Sequence, residues 1–599
     1  MQRTSVLALV VTLLALGAVP VTAQPAAEVV PDPAAHVDPL IGTSDQGNTF
    51  PGAVLPFGMF SFSPEGTRGN TLRAAAPGGY RHDATRLRGF SLTHMSGTGC
   101  AGGSGDVPIF PHVGTVTTSP TTDAEDEVYA SGFSHADEVA RPGRYDVALE
   151  SGAKAELSAT TRTGAARFTF PAGEPATVLV HTSKSQVGSS DARTTVDPAT
   201  RTVTGSVTSG NFCGYINQEG RRSYYTLHFA LEFDQPFTEV GTWRDDVVTP
   251  GSTTTSGGTT YGKNGWPVLG RGSGAYLGFA PGSTVDARVG ISYVSADNAL
   301  LNLRAENDGL PIEDVRDNAY RAWQRQLRRI EVGGGSDADR TKFYTALYHS
   351  LLHPNVFSDV NGEYAGMDGR AHRVRGPQRV QYGTFSGWDV YRSQLQLLTL
   401  LEPGVGSDVA QSLLNQAEQN GGVWDRWTHA NGGTHVMNGD PSPLALAGIL
   451  AFGGDRFDVR RALASLVRAA TVPTPLDLSK DGWAVMSVGQ RPSLDKYLRL
   501  RHMPSVSNAW GGAAETLEAS GADFAISQLA ARVGDHRTRR EFAARAQWWQ
   551  HNYDPVADET GGYVRNKDED GTWAGRFEPD TGHGFVEGTS AQYTWMVPH

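Results

Sequence analysis

The stretch Ile312-Glu313-Asp314-Val315-Arg316-Asp317-Asn318-Ala319-Tyr320-Arg321-Ala322-Trp323-Gln324-Arg325-Gln326-Leu327-Arg328-Arg329-Ile330 divides the chain into two kinds of text. Its apolar members, Ile312, Val315, Ala319, Trp323, Leu327 and Ile330, recur at helical spacing and fall on one face. Upstream, to about residue 300, helical periodicity is scarce. Short runs dominate there: 177–181, 202–207, 224–233, 275–279 and 289–294. They are rich in β-branched and aromatic residues and bounded by Gly, Ser, Asn or Asp, which predicts a β-sandwich. The low-complexity run Gly251–Gly258 predicts a surface loop.

Downstream the period is helical. Tyr344, Leu347, Tyr348, Leu351 and Leu352 mark a helix closed by His353-Pro354. Further helices are expected near 389–402, 407–420, 441–453, 457–470, 513–533 and 536–552. Helix after helix, with Trp, His and Asp in the loops, predicts an α-toroid whose loops line one end. A full (α/α)6 toroid takes about twelve helices and the pattern counts about eight, so the helical domain is expected to be incomplete in this chain. The expected division is a signal peptide at 1–23, a linker at 24–36, a sandwich domain at 37–303, a helical connector at 304–335 and an (α/α)6 domain at 336–599.

Composition excludes several classes. Hydrophobic residues at 39% and charged residues at 19% describe a globular chain. A net charge of −12, with no basic stripe, argues against nucleic acid as a partner. Arg3, the apolar run Val6–Val21 and small residues before Gln24 read as an export signal, and no membrane span is expected after its removal. The two cysteines, Cys100 and Cys213, leave bridged and free equally open.

Several loops carry candidate chemistry. Gly582–His599 places Glu587 after a glycine-rich loop and before an aromatic segment, where desolvation would suit a general acid. The competing role is a helix-start carboxylate. In Ser386-Gly387-Trp388-Asp389-Val390-Tyr391-Arg392 a ring, a carboxylate and an arginine open a helix. Indole faces pack on the C–H surface of sugars, and carboxylates accept from their hydroxyls. Val423–His429 and His435–Pro441 repeat this chemistry, which favours a polyol pocket. His94, in the glycine-rich run Gly89–Gly97, is suited to reach a ligand or to sit hydrogen-bonded in the fold. Gly97–Gly102 matches G-x-G-x-x-G without the strand–helix frame of a dinucleotide site. Asn566–Gly571 starts like an EF-hand, but its twelfth position is Phe577.

Taken in order, Asp38–Gly42, Phe50–Ala53, Pro56–Met59, Gly89–Cys100, Phe385–Arg392, Val586–Gly588 and Gln592–His599 resemble glycoside hydrolase family 92, the calcium-dependent exo-α-mannosidases. The resemblance covers Val37 to His599. It implies an N-terminal β-sandwich packed on an (α/α)6 barrel and a secreted, inverting enzyme acting on glycans that contain α-linked mannose. It implies Glu587 as general acid and Asp389 as a mannose-binding residue, with Trp388 and Arg392 shaping the pocket. His94 lies in the matching sandwich loop. It also implies Ca2+, with the backbone oxygen of Gln592 as one ligand. The family's general base and most calcium ligands are expected downstream of His599. Two alternatives from other classes are a non-catalytic glycan-binding surface protein and a sugar phosphorylase of similar architecture.

Overall fold

The computed structural model describes residues 29–67, 76–99, 103–186, 188–210, 212, 224–260, 268–478, 489–507, 511–582 and 584–595. The expected signal peptide, both cysteines, His583 and the last four residues lie outside this set.

The N-terminal half is a β-sandwich. Among the described residues, 17 strands form one continuous antiparallel array. One face runs, in pairing order, through Ser61–Gly66, Arg86–Ser91, Ile109–Val113, Ala176–Val180, Ser273–Phe279, Glu239–Arg244 and Val247–Pro250. The other runs from Thr254–Ser256 through Asp191–Asp197, Thr202–Gly210, Tyr224–Phe233, Thr284–Ser292, Thr163–Thr169, Lys154–Ala159 and Arg144–Leu149 to Ser131–Arg141. Ser131–Arg141 also pairs with Arg86–Ser91 and so joins the two faces. Outer strands alternate, as in Asp191–Asp197, where every second residue is buried. Ala176–Val180 and Ser273–Phe279 are buried at every position, as strands covered on both sides must be.

Two expectations need correction here. The run Gly251–Gly258 is not all loop: Thr254–Ser256 pairs with Arg193–Thr195 as an edge strand. Nor is the described part of the expected linker free chain. Val30 and Ala34 are buried, Val29 bridges Gly333, and Asp32 accepts from Tyr320 Oη at 2.7 and 2.8 Å.

The helical half begins against the sandwich. Ala296–Glu306 is a helix that the sequence pattern does not predict, capped by Ser295, whose hydroxyl accepts from the Asn298 N–H. Ile312–Leu327 buries its predicted face of Ile312, Val315, Ala319, Trp323 and Leu327. The Trp323 indole N–H donates to the Val54 carbonyl at 2.6 Å, which fastens this helix to the sandwich. Asp337–Ser350 follows, with a capping box at Ser336 and Asp339. The halves are then laced by backbone: Phe57 N–H donates to Leu351 O and Val356 N–H to Phe57 O, both at 2.8 Å.

The expected helices follow as Gln394–Leu401, Pro403–Gln419, Pro441–Ala451, Val459–Thr471, Gly512–Val533 and His536–Arg545. Pro403 opens a helix, at the position where a missing N–H costs nothing. Gly512–Val533 is the strut of this half: 17 of its 22 residues are buried. Glycines in left-handed conformation, Gly511 and Gly534, bound it.

Being buried, that helix brings its carboxylates inside. Asp523 accepts from Arg491 at 2.7 Å, Arg545 at 3.0 Å and Tyr497 at 3.2 Å. Arg491 also donates to Asp440 at 2.8 Å. All four charged side chains are at most 5% exposed. Asp523→Ala would leave Arg545 without its carboxylate and Arg491 with only Asp440. The expected loss is about 3–5 kcal/mol, read as a lower urea midpoint at unchanged slope. A loss under about 1 kcal/mol would show that the network does not hold this half together.

Candidate active site

A cavity of about 740 Å³ lies where the two halves meet. The sandwich lends it the loop Met95–Gly99. The helical half lends it the end of the helix Asp337–Ser350, the segment from Thr384 to Val390, Trp427, Met437 and Glu587.

One histidine of the helical half bonds the loop. Ser96 N–H donates to His353 Nε2 at 3.0 Å, so that nitrogen carries no proton. Nδ1–H therefore faces Asn355 Oδ1, at 2.8 Å. The Asn355 amide in turn donates to Gly58 O and Leu352 O. Burial pulls the His353 imidazole down to about 4, with the Asn355 bond opposing it. This neutral ring ties the sandwich loop to the helical half.

The Trp388–Asp389 corner is built on a close approach. The short strand Phe385–Ser386 pairs with Trp427–His429 and leads into the single turn Gly387–Val390. A Cβ on Gly387 would lie 2.4 Å from Arg426 O and 2.6 Å from Pro441, so only glycine fits between them. The turn sends half-buried Trp388 and exposed Asp389 into the cavity wall. Asp389 accepts from the Ser386 hydroxyl. The Trp388 indole N–H is buried without a protein partner among the described residues. Arg392 does not line the cavity. Its guanidinium lies 4.7 Å over the Trp388 ring and 4.9 Å over Tyr391, and it donates to Glu518 at 3.1 Å.

Glu587 arrives from the far end of the chain. Its backbone is left-handed, at φ 50°. Tyr593 Oη donates to Val586 O at 2.7 Å, and Gln592 Oε1 accepts from Thr589 N–H at 2.9 Å. These bonds hold the turn against the helix Ser590–Trp595. Thr384 and Met437, at φ 58° and 68°, share that strained conformation and line the same cavity. A β-branched threonine there is a true outlier, and such strain gathers at functional sites.

The sequence expectation that the fold itself desolvates Glu587 is not met. The residue is exposed at the cavity rim, because the left-handed turn lifts it off the buried Phe585–Val586 pair. His94 is also displaced from its expected role. It is 7% exposed, packs 5.0 Å from Phe50, and bonds Ser61 at 2.9 Å and Glu65 at 3.0 Å. Its ring belongs to the buried polar network of the sandwich, and its neighbours Met95 and Ser96 reach the cavity instead.

Sequence reading missed the carboxylates behind the wall. Glu515 and Glu518 lie one turn apart on Gly512–Val533, buried at 4% and 2% exposure. Burial pushes Glu515 up to about 7 against the opposing field of Arg426 and the N–H of Gly439. Burial also raises Glu518, while Arg392 and the Tyr391 hydroxyl oppose the shift. The available signal was two acids inside an alanine-rich helical run with no polar face to carry them.

For calcium the described donors fall short. Gln592 is exposed, its side chain closes the Thr589 turn, and it is not part of the cavity wall. Among the described residues no group of three or more His, Cys, Asp or Glu is placed to hold an ion. A Ca2+ shell takes about six to eight oxygens, more than these side chains bring together.

The geometry is a two-domain plan with two carboxylates, Asp389 and Glu587, and the Trp388 indole at one interdomain cavity. Residues 36–292 match the glycosyl hydrolase family 92 N-terminal domain, and residues 298–599 match the family's catalytic domain. The chain belongs to glycosyl hydrolase family 92. It superposes on a family GH92 alpha-mannosidase of Bacteroides thetaiotaomicron with a TM-score of 0.81 at 27% identity, covering 95% of this chain and 71% of that one. That protein has also been solved with mannoimidazole. A second structure from the same bacterium, described as an inverting mannosidase of the family, gives 0.80 at 26% identity over 94% and 71%. An uncharacterized secreted glycosidase of Arthroderma benhamiae is 27% identical over 373 residues, 58% of this chain. The chain spans 45% of that curated relative's length.

Two outcomes follow from the site. The unfolded imidazole of residue 353 takes its proton near pH 6.5 and the folded one near pH 4. On acidification the unfolded state is protonated first, so stability drops between those values, by up to about 3 kcal/mol from this group. Urea unfolding of the parent and of His353→Gln at pH 7 and pH 4.5 checks it: the variant should lose less on acidification, and equal losses would remove His353 as a cause. Tyr593→Phe should lower kcat about tenfold with KM nearly unchanged, since it frees the Glu587 turn and leaves the Trp388–Asp389 corner untouched. Unchanged kcat would show that the turn holds without the Tyr593 hydroxyl.

Proposed function

We propose that the chain is an exo-acting α-mannosidase that hydrolyses terminal α-linked mannose with inversion. The observation that carries this reading is that Glu587 and the Trp388–Asp389 corner, from distant parts of the chain, line one cavity. Membership of the family and the likeness to two described mannosidases support it.

In this reading the indole of Trp388 packs against the C–H face of the terminal sugar and Asp389 accepts from its hydroxyls. Glu587, held at the rim, gives its proton to the glycosidic oxygen as the bond to C1 breaks. An inverting step also needs a base that activates water on the opposite face. The family resemblance assigns that task to an aspartate well downstream of the acid. A Ca2+ requirement is the part of the reading that the described donors support least. Turnover undiminished in excess chelator would remove it and leave the acid assignment standing.

Secretion belongs to the same proposal. The export-like N-terminus and the relative described as secreted support it. No helix among the described residues is long and apolar enough to cross a membrane.

The test uses two substrates and one variant. The full-length protein should release mannose from an α-mannobiose, with β-mannose as the first anomer seen by NMR. Glu587→Gln should cost about 10²–10⁴-fold in kcat on the disaccharide and far less on a dinitrophenyl α-mannoside, whose leaving group needs no proton. Equal losses on both would take Glu587 out of the acid role.

A further inference from the structure

We infer that Glu518 is the positioning residue for the tryptophan wall of the cavity, acting through Arg392. The inference rests on the sugar-binding reading of Trp388 for its consequence, but not for its geometry.

Trp388 leaves a one-turn helix, and its indole N–H finds no partner among the described residues. Its ring is therefore set by what lies against it. That is the Arg392 guanidinium, 4.7 Å from the ring centroid. Arg392 is itself 38% exposed and long, so alone it would sample many rotamers. Glu518 removes that freedom. Its carboxylate is 1% exposed, accepts from Arg392 at 3.1 Å, and accepts from Tyr391 Oη at 2.9 Å. A buried carboxylate cannot drift from its cationic partner without a large desolvation cost. The helix Gly512–Val533 fixes Glu518 from behind. In front, Gly439 at φ 80° leaves the space it fills, since a Cβ there would lie 2.9 Å from Glu518 Cβ. A rigid helix thus sets a carboxylate, the carboxylate sets a guanidinium, and the guanidinium sets an indole in the cavity wall.

An anchor that served stability alone would leave the indole where it is. The two roles separate by experiment. Glu518→Gln keeps the shape, removes the charge and turns one of the two accepting oxygens into a donor. Tryptophan emission should change with this substitution in the parent chain and stay unchanged in a Trp388→Phe background. An equal change in both backgrounds would overturn the inference. Mannoimidazole is the binding probe. Its Kd, by calorimetry, should rise about tenfold in Glu518→Gln and in Arg392→Lys, and the double variant should be no worse than the weaker single, since each breaks the same link. Multiplying losses would count against the chain of contacts. Arg392→Lys, at a partly exposed position, keeps the emission test open should Glu518→Gln not fold. If the parent chain does not bind mannoimidazole, the mannosidase reading falls, and emission still decides the link from Glu518 to Trp388.

Discussion

The arrangement depends on carboxylates held in a helix that is buried on nearly every side. Gly512–Val533 is buried nearly all round, yet carries Glu515, Glu518 and Asp523 on its inward course. Each buried charge demands a partner, and the interior supplies none from the same helix. The partners come from elsewhere: Arg392 from the segment after the cavity turn, Arg491 and Arg545 from two other elements. The demand for neutralisation therefore places the loops. The segment from Thr384 to Arg392 is fixed at its start by strand pairing with Trp427–His429 and by the close approach at Gly387, and at its end by the Glu518–Arg392 pair.

Strain sits on top of this scaffold. Three residues of the cavity wall, Thr384, Met437 and Glu587, are left-handed without being glycine. Each costs of order 1–2 kcal/mol. Neighbouring bonds hold them there. Thr384 exchanges two bonds with Ala430, through its own N–H and through its hydroxyl. The Glu587 turn is held by Tyr593 and by the Gln592–Thr589 exchange. Packing that over-determines a turn keeps a functional side chain aimed without a ligand to aim it.

Much of this was legible in the sequence. Short β-branched and aromatic runs followed by runs at helical spacing marked the order of sandwich and helices, and glycines bound Gly512–Val533. The Trp388–Asp389 turn and Glu587 stood out because aromatic and acidic residues beside glycine have few other uses. What escaped has physical reasons. The helix Ala296–Glu306 buries Asn298 and Asn302, which bond Asp359, so half of its inner face is amide and shows no apolar stripe. The strand Thr254–Ser256 is threonine and serine on an edge, where composition reads as loop. His94 lies in the correct loop, but one residue's difference in direction separates the buried network from the cavity. Arg392 finds its partner 126 residues away, a distance over which sequence spacing carries no information.

Glu587 differs from the other acids of this region in being exposed. Glu515 and Glu518 are dry and fixed by the fold, while Glu587 stands in water at the rim. A carboxyl group in that position becomes dry only when something covers it. On the proposed reading the sugar does so: it displaces water from the cavity, its C–H face meets the indole, and its linking oxygen takes the place of solvent at the acid. Two kinds of acid then divide the work. The buried ones hold the wall in register whether or not a ligand is present, and the exposed one is left free to exchange its proton between turnovers. A fold that buried all of them would have a rigid wall and no route for that proton to return.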